Sequence, residues 1–368
     1  MAGAIAVTAF GLGDEALGAR YDRLHADCPA AYIQQSTHWA RVVAPLGPDE
    51  PIFLLASNAA GDVAGLPLYL FRAAPGAILT SVPQPGPLGG IFSRSEADRD
   101  AVYRHLLAAA ADLAQRHRCL TLTIITDPLA DDVDFYRRHL APDFEFENFT
   151  QVVPVARAVQ DDRFILPNNP ERNPGRTIRK ARSCGFTTAI CDDPALFARW
   201  YAVHRRRHGE LGLTPLAEAL LGGLWRHLAP LGKAFLMLVL AGDEIASGCL
   251  FVCHRDVCDA YILSANSAFA AQAPNYLLIE QALLLMARRG IRWMNWQSSA
   301  RRGDGVYRFK AQWGSDERPY AIVTKLYGDP QSLLALGGEG VRRHYPNHYV
   351  VPFAAFAQGL APGRFAKP

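Results

Sequence analysis

The sequence predicts a protein that contains both helices and strands, of the class α/β (α+β). It predicts two tandem domains, and each domain contains a mixed, mainly antiparallel sheet flanked by helices. The chain has 368 residues, which is enough for two or three domains. Half of the residues are hydrophobic and a fifth are charged, which is typical of globular proteins and excludes a disordered chain. A repeated pattern of hairpin, helix and strand indicates that one domain has been duplicated.

The first half of the repeat is a predicted β-hairpin. Residues 53–70 read FLLASNAAGDVAGLPLYL, and residues 235–252 read FLMLVLAGDEIASGCLFV. Each segment has an apolar run, a Gly-Asp turn and a second apolar run, which is the pattern of two paired strands. The two turns, at Gly61 and Gly242, lie 181 residues apart. Solenoid repeats recur every 20–50 residues or so, and the longer separation therefore favours duplication of a whole domain.

The second half of the repeat is a helix followed by a strand. In the first copy, residues 97–118 form an amphipathic pattern rich in Ala and Leu, and the apolar run CLTLTIIT follows. In the second copy, residues 275–289 predict a helix that ends at Gly290, and IRWMNWQ follows as a strand. Glycine is the residue that most often ends a helix in the left-handed conformation.

The domain boundary is predicted near residue 155. We expect an N-terminal domain over 1–155, a C-terminal domain over 156–330 and a C-terminal tail over 331–368. The segment between the copies contains the turn formers Asn168-Asn169-Pro170 and Asn173-Pro174-Gly175. A basic helix, RTIRKARSCGF, then ends at Gly185, and another helix begins at Asp193-Pro194 with an N-cap and a proline in its first turn.

The charge is distributed unevenly along the chain. The net charge of +3 argues, taken alone, against a dedicated DNA-binding protein. Residues 1–150 carry 11 basic and 18 acidic side chains, whereas residues 151–368 carry 27 and 17, which gives +10. Such an asymmetry indicates an anionic partner for the second half. The alternative is a general arginine enrichment, since 33 of the 38 basic residues are Arg.

The seven cysteines predict reduced thiols in a cytoplasmic protein. The N-terminus lacks the positive segment of a signal peptide, and no apolar run approaches the roughly 20 residues of a membrane span. Cys249, Cys253 and Cys258 lack the short spacing of zinc knuckles even with His254 beside them, and buried thiols are the better interpretation. His204 and His208 share a helix face without an evident third ligand. We therefore predict no metal site and a soluble, cytoplasmic protein.

Four motifs carry a family resemblance. They are QSTHW at 35–39, RTIRKARSCGF at 176–186, APNYLLIEQAL at 273–283 and GVYRFKAQWG at 305–314. In this order, and together with the internal duplication, they resemble the FemAB group of the GNAT acyltransferase superfamily, whose members contain two tandem GNAT-like domains. The last motif is similar to the Phe-Lys-x-x-aromatic-Gly signature of that group.

The resemblance implies acyl transfer to an amine, which forms an amide. Ordinary GNAT domains hold the coenzyme A pyrophosphate with a Gln/Arg-x-x-Gly-x-Gly/Ala loop at a helix N-terminus, but residues 265–276 (ANSAFAAQAPNY) contain no glycine. The resemblance therefore implies aminoacyl-tRNA as donor, no tightly bound cofactor, and a small-molecule amine as acceptor, such as a cell-wall precursor or a secondary-metabolite intermediate. Two alternatives stay open: an acyl-CoA-dependent N-acyltransferase, and a non-catalytic scaffold.

Lys310 is the predicted catalytic residue, because it matches the lysine of the Phe-Lys motif. By resemblance its ammonium would stabilise negative charge on the acyl carbonyl or the leaving group; the alternative is a surface lysine in a structural salt bridge. Arg176, Arg179 and Lys180 share a helix face and predict a phosphate clamp, or else a solvated basic face. The other predicted substrate-binding residues are aromatic, with core packing as the alternative: Trp39, Tyr276, Trp296, Tyr307, Phe309 and Trp313.

One stretch departs from the family pattern. Related sequences often carry Asp-Phe-Gly-Arg-Ser before the Phe-Lys motif, where this chain has Asn295-Trp296-Gln297-Ser298-Ser299. The change alters the expected acceptor specificity and removes a carboxylate that would otherwise be a candidate for the general base. The sequence also lacks a G-x-S-x-G elbow and a P-loop, and a hydrolase or an NTPase is therefore not indicated.

Overall fold

The structure is a computed structural model that describes residues 4–83, 86, 88–94, 97–165 and 174–367. The predicted turns at Asn168-Asn169-Pro170 and at Asn173 lie outside the described residues. Pro174 and the basic segment after it lie inside them.

Strands and helices alternate along the chain. The strands are β1 (Ala6–Gly11), β2 (Glu50–Asn58), β3 (Gly61–Ala73), β4 (Gly76–Thr80), β5 (Phe92–Ser93), β6 (Cys119–Ile125), β7 (Phe144–Pro154), β8 (Val159–Gln160), β9 (Arg163–Phe164), β10 (Thr187–Ile190), β11 (Ala234–Ala241), β12 (Glu244–His254), β13 (Val257–Ala265), β14 (Trp293–Ser298), β15 (Asp316–Leu326) and β16 (Gly363–Ala366). The α-helices are α1 (Glu15–Asp27), α2 (Thr37–Val43), α3 (Arg99–Arg116), α4 (Val133–Leu140), α5 (Val155–Ala158), α6 (Pro174–Ser183), α7 (Pro194–Glu210), α8 (Glu218–Leu228), α9 (Pro274–Arg288), α10 (Gly305–Ala311) and α11 (Pro330–His344).

The chain divides into two compact units. The first contains Met1–Phe149 together with Arg318–Pro368, and the second contains Thr150–Glu317. The division at 149/150 lies close to the predicted boundary at 155/156. Residues 318–368, which include the predicted tail, belong to the first unit, and that unit is therefore discontinuous in sequence.

The sheet of the first unit is mainly antiparallel with one parallel pair among its main strands. Strands β1, β2, β3 and β4 pair antiparallel in that order. Strand β4 then pairs parallel to β6, and β6 pairs antiparallel to β15. The helix α3 connects the antiparallel part of the sheet to β6, and its inner face packs on the core through Leu106, Ala110 and Leu113.

The sheet of the second unit repeats this order. Strands β10, β11, β12 and β13 pair antiparallel, β13 pairs parallel to β14, and β14 pairs antiparallel to the end of β7. Helix α9 corresponds to α3 of the first unit. In the sequence, α9 connects the antiparallel strands to the parallel strand β14, as α3 connects them to β6. The predicted duplication of hairpin, helix and strand is therefore present in the structure, and the predicted fold class is confirmed.

Local signals explain where several helices begin and end. Asp193 caps α7, because its Oδ1 accepts a hydrogen bond from the backbone N–H of Ala195 at 2.9 Å. After α9, Gly290 has a φ of +73°, the left-handed conformation that glycine adopts without strain. Gly185 follows the basic helix α6 in the same way, with a φ of +74°.

The prediction that all cysteines are reduced thiols is wrong for one pair. Cys253 and Cys258 are bonded as a disulfide. They stand opposite each other in the register of β12 and β13, with Cα atoms 4.0 Å apart, because the tight turn between them folds the two strands together. Cys249 is a buried free thiol, as the sequence predicts. None of the described helices is both long enough and apolar enough to cross a membrane.

Candidate active site

A cavity opens in the second unit where two parallel strands stop pairing. Strands β13 and β14 are in register from Val257 opposite Trp293 to Asp259 opposite Asn295. Both strands continue beyond this point, and a cavity of about 460 Å³ lies among the residues that follow. It is lined by Ala260, Tyr261, Leu263, Asn275, Trp296, Gln297, Ser298, Gly305, Val306, Phe309 and Lys310. A cavity of this size accommodates a small organic group.

Lys310 is buried at this cavity, with only 7% of its surface exposed. Its Nζ donates to the backbone carbonyl oxygens of Gln297 at 2.9 Å and Ser298 at 3.2 Å. The helix α10 that carries it begins at Asp304, whose Oδ1 accepts from the backbone N–H of Tyr307 at 2.6 Å. That hydrogen bond is the main reason that the pKa of Asp304 is lowered, and Lys310 adds a smaller contribution. None of the described residues lining the cavity is Asp or Glu.

Four of the predicted aromatic residues come together around this cavity. Trp296 and Phe309 line it, with ring centroids 5.7 Å apart. Tyr276 lies edge-on against Phe309 at 5.5 Å, and its hydroxyl accepts from Gln312 Nε2 at 3.0 Å. Trp313 is buried behind them. The structure therefore makes Trp296 and Phe309 part of the cavity wall, while Tyr276 and Trp313 support that wall.

Tyr307 and Trp39 occupy other surroundings. The Tyr307 hydroxyl donates to Glu317 Oε2 at 3.0 Å, and partial burial, with Glu317 adding to it, raises the pKa of Tyr307. Trp39 is buried in the first unit on α2. A Cβ on Gly86 would lie 2.6 Å from the Trp39 ring. This close approach shows how tightly the indole is packed there.

The basic residues predicted as a phosphate clamp lie on α6 and are exposed. Arg176, Arg179 and Lys180 all face solvent, and Lys180 Nζ donates to the carbonyl oxygen of Ala271 at 2.7 Å. Arg182, one turn further along, pairs with Glu280 at 2.6 Å. The helix thus presents a positively charged surface that an anionic partner can reach.

His204 is buried in the second unit, and its Nδ1 lies 2.9 Å from Ser264 Oγ. Burial lowers the pKa of His204 to about 4, and His208, whose ring centroid is 4.1 Å away, adds to this effect. His204 is therefore uncharged at neutral pH. Within the described part of the chain, no three His, Cys, Asp or Glu residues are grouped so that they could hold a metal ion.

Of the polar residues that line the cavity, Tyr261, Asn275, Gln297 and Ser298 were not among the predicted site residues. Asn275, in the first turn of α9, accepts a hydrogen bond from Ser247 Oγ through its Oδ1. Gln297 has a φ of +63°, a left-handed conformation that is uncommon outside glycine. The available signal for Gln297 was its position in the stretch that departs from the family pattern. Asn295 of the same stretch is fully buried and donates to Asp259 Oδ1 at 2.7 Å.

Comparison with known proteins connects this geometry to a family. Residues 171–311, which contain every residue lining the cavity, match the family model of the acetyltransferase (GNAT) domain. Over these residues the chain is similar to an acetyltransferase (GNAT) domain. We therefore assign it to the acyltransferases, and the predicted class of enzyme is confirmed. No curated protein matches the sequence at a significant level.

Several solved structures are similar in fold to this chain, and one of them is a tandem GNAT protein. FemX matches with a TM-score of 0.70 at 14% identity, over 86% of this chain and 98% of FemX. A tandem GNAT protein from the clavulanic acid biosynthesis pathway matches with a TM-score of 0.50 at 14% identity, over 88% of this chain and 99% of that protein. The C-terminal domain of a putative lysylphosphatidylglycerol synthetase from Agrobacterium fabrum matches with a TM-score of 0.54 at 11% identity, over 88% and 96%. The predicted resemblance to the FemAB group is thereby confirmed for the fold.

Proposed function

We propose that the protein transfers an aminoacyl group from aminoacyl-tRNA to an amine and so forms an amide, with the reaction at the Lys310 cavity. The observation that carries the proposal is a buried ammonium at a cavity that no described carboxylate lines. A buried cation at such a cavity stabilises a ligand atom on which negative charge develops. During acyl transfer, that atom is the carbonyl oxygen of the acyl group.

The chemistry is direct attack by the acceptor amine. Its nitrogen forms a bond to the acyl carbon, and the bond from that carbon to the 3′ oxygen of tRNA breaks. The amine loses a proton and the tRNA hydroxyl gains one. Lys310 Nζ stabilises the charge on the carbonyl oxygen between these events, and the apolar walls formed by Leu263, Phe309 and Val306 hold the acyl group in place.

Two features support tRNA as the carrier of the acyl group. The side chains of Arg176, Arg179 and Lys180 are exposed on α6 in the same unit as the cavity. Residues 150–317, which form this unit, also carry 21 basic and 15 acidic side chains, a net charge of +6. Basic surfaces bind phosphate backbones in a salt-dependent way. The resemblance to the FemAB group points to the same donor.

A test uses charged bulk tRNA and labelled acyl-CoA in separate incubations with an amine acceptor pool, including cell-wall precursors. We expect the protein to transfer label from charged tRNA to an amine, and to protect charged tRNA from hydrolysis before acceptor is added. Transfer from acyl-CoA alone would replace this proposal with the acyl-CoA-dependent alternative. Activity with neither donor would contradict the proposed reaction.

A further inference from the structure

The backbone at Gln297 is held in an unfavourable conformation at the cavity. Its φ of +63° is one that side-chain-bearing residues rarely adopt. This conformation directs the Gln297 carbonyl oxygen to Lys310 Nζ at 2.9 Å. A glycine would supply the same carbonyl without strain. The backbone geometry therefore explains the position of the carbonyl, but it does not explain why a long polar side chain stands there.

The amide nitrogen Nε2 of Gln297 lacks a hydrogen-bond partner among the described residues. It is buried, although Gln297 lines the cavity. A buried polar group without a partner is destabilising, and most such groups in proteins are paired. A ligand in the cavity is a partner that would satisfy this group.

The position of Gln297 defines which part of a ligand it can reach. Its Cα lies about 2.4 Å from the carbonyl oxygen that binds Lys310 Nζ, as bond lengths dictate. Gln297 and Lys310 also line the same cavity. If Lys310 contacts the acyl carbonyl, a group on the adjacent α-carbon is therefore within reach of the Gln297 side chain. The unpaired Nε2 is a hydrogen-bond donor, and it can therefore donate to the lone pair of a neutral amino group.

We propose that Gln297 is a specificity-determining residue, which recognises the α-amino group of the aminoacyl donor and distinguishes it from a plain acyl group. This inference rests on the proposed function. Because the described residues that line the cavity include no carboxylate, an uncharged hydrogen-bonding group is well suited to hold an amine close to the Lys310 ammonium. Recognition is by hydrogen bonding alone, without any covalent step.

The test compares the binding of alanyl-tRNA, propionyl-tRNA and uncharged tRNA, because the first two differ only in the α-amino group. We expect the wild-type protein to bind alanyl-tRNA about tenfold more tightly than propionyl-tRNA, as one hydrogen bond in a buried site allows. In Gln297→Gly the ratio should fall to about one while Tm rises, because the left-handed strain is removed. Gln297→Leu, which keeps the bulk, should also abolish the preference.

The matched control is Asp161→Gly, at an exposed turn of the same unit with a φ of +47°. It should raise Tm and leave the binding ratio unchanged. A ratio of one in the wild-type protein, or a tenfold ratio that persists in both Gln297 variants, would overturn the role of Gln297. If neither charged tRNA binds more tightly than uncharged tRNA, the aminoacyl-tRNA proposal itself fails, and the two failures are thus distinguishable.

Discussion

Lys310 illustrates how burial gives one residue a defined chemical role. An ammonium that is 7% exposed and held by two carbonyl oxygens cannot swing away as a surface lysine does. Its charge is fixed beside the cavity before substrate arrives, and pre-placed charges cost no reorganisation during the reaction. These two carbonyls belong to Gln297 and Ser298, and the end of β14 therefore positions the ammonium of Lys310.

Removing this charge tests the assignment at the level of one residue. Lys310→Met keeps the length of the side chain and should lower kcat about 100-fold to 1,000-fold, the range seen when an oxyanion partner is lost. The Kd for the donor should change much less. The control is Lys325→Met, which removes a lysine bonded to Ala141 in the first unit and should leave kcat unchanged. An unaltered kcat in Lys310→Met would remove Lys310 from the mechanism.

His204 gives the protein a predicted pH dependence of stability. Its pKa is about 4 in the folded protein and about 6.5 when unfolded. Above pH 6.5 both states are neutral, and the group has no effect. As the pH falls from 6.5 towards 4, the unfolded state binds a proton that the folded state does not, and the free energy of unfolding drops by up to about 3 kcal/mol.

The measurement compares wild type with His204→Phe by thermal unfolding between pH 7.5 and pH 4.5. We expect the Tm of the wild type to fall more steeply with acidification than that of the variant. The difference between the two proteins cancels the titration of the other histidines. Parallel pH profiles would show that His204 is not held neutral by burial.

The two units differ at their pairs of parallel strands, β4 and β6 in the first unit and β13 and β14 in the second. In the second unit the parallel pair β13 and β14 separates after Asp259, and the cavity follows. In the first unit the corresponding strands β4 and β6 stay joined beyond Thr80. The backbone N–H of Ser81 donates to the backbone carbonyl oxygen of Thr123 at 2.9 Å, and Ser81 Oγ accepts from the backbone N–H of Ile125 at 3.0 Å. Within the described residues, the opening between the parallel strands is therefore seen in the second unit, whereas β4 and β6 remain paired in the first.

The sequence predicted these elements better than it predicted the site. The Gly-Asp turns, the amphipathic helices and the apolar runs are local signals, and they placed β2, β3, β11 and β12 correctly. The cavity depends on where two strands stop pairing, which is not encoded by a local pattern. Lys310 and Phe309 were found through the family motif. Gln297 was missed because nothing in a sequence shows that a glutamine has a positive φ.

The exposed basic residues of α6 lead to a prediction about the affinity for the tRNA donor. Replacing Arg176, Arg179 and Lys180 by Gln should weaken tRNA binding and reduce the slope of log affinity against log salt by about 2, since each phosphate contact contributes about 0.7 to 0.9. The control replaces Arg104, Arg116 and Arg118 of the first unit, which are also exposed, and so removes the same charge. Equal losses in both triple variants would indicate a general charge effect instead of a specific contact.

The net charge of the chain is distributed unevenly between its two units. The value of +3 hides an acidic first half and a second half of +10. The unit with the cavity, residues 150–317, carries 21 basic and 15 acidic side chains, and residues 318–368 of the first unit carry 6 and 2. The predicted boundary near 155 was close to the observed 149/150. The sequence does not show which unit residues 318–368 pack on, because the apolar residues of that segment show no partner until the fold is known.

Residues 318–368 contribute to the stability of the first unit. Their large buried side chains pack with Phe71, Ile78, Leu120 and Phe144 of the first unit. They are Leu333, Val341, Tyr345, Val350, Val351 and Leu360. At about 1.5–3 kcal/mol each, their burial contributes on the order of 10 kcal/mol, which is comparable with the total stability of a typical domain.

Truncation after residue 329 should therefore unfold the first unit. We expect limited proteolysis of the truncated chain to cut first within residues 1–149, with a large fall in Tm. The control ends at residue 366, which keeps β16 paired with β7 and should retain the wild-type Tm. A truncated chain that kept its Tm and its protease resistance would mean that residues 330–368 are an appendage and that the first unit folds without them.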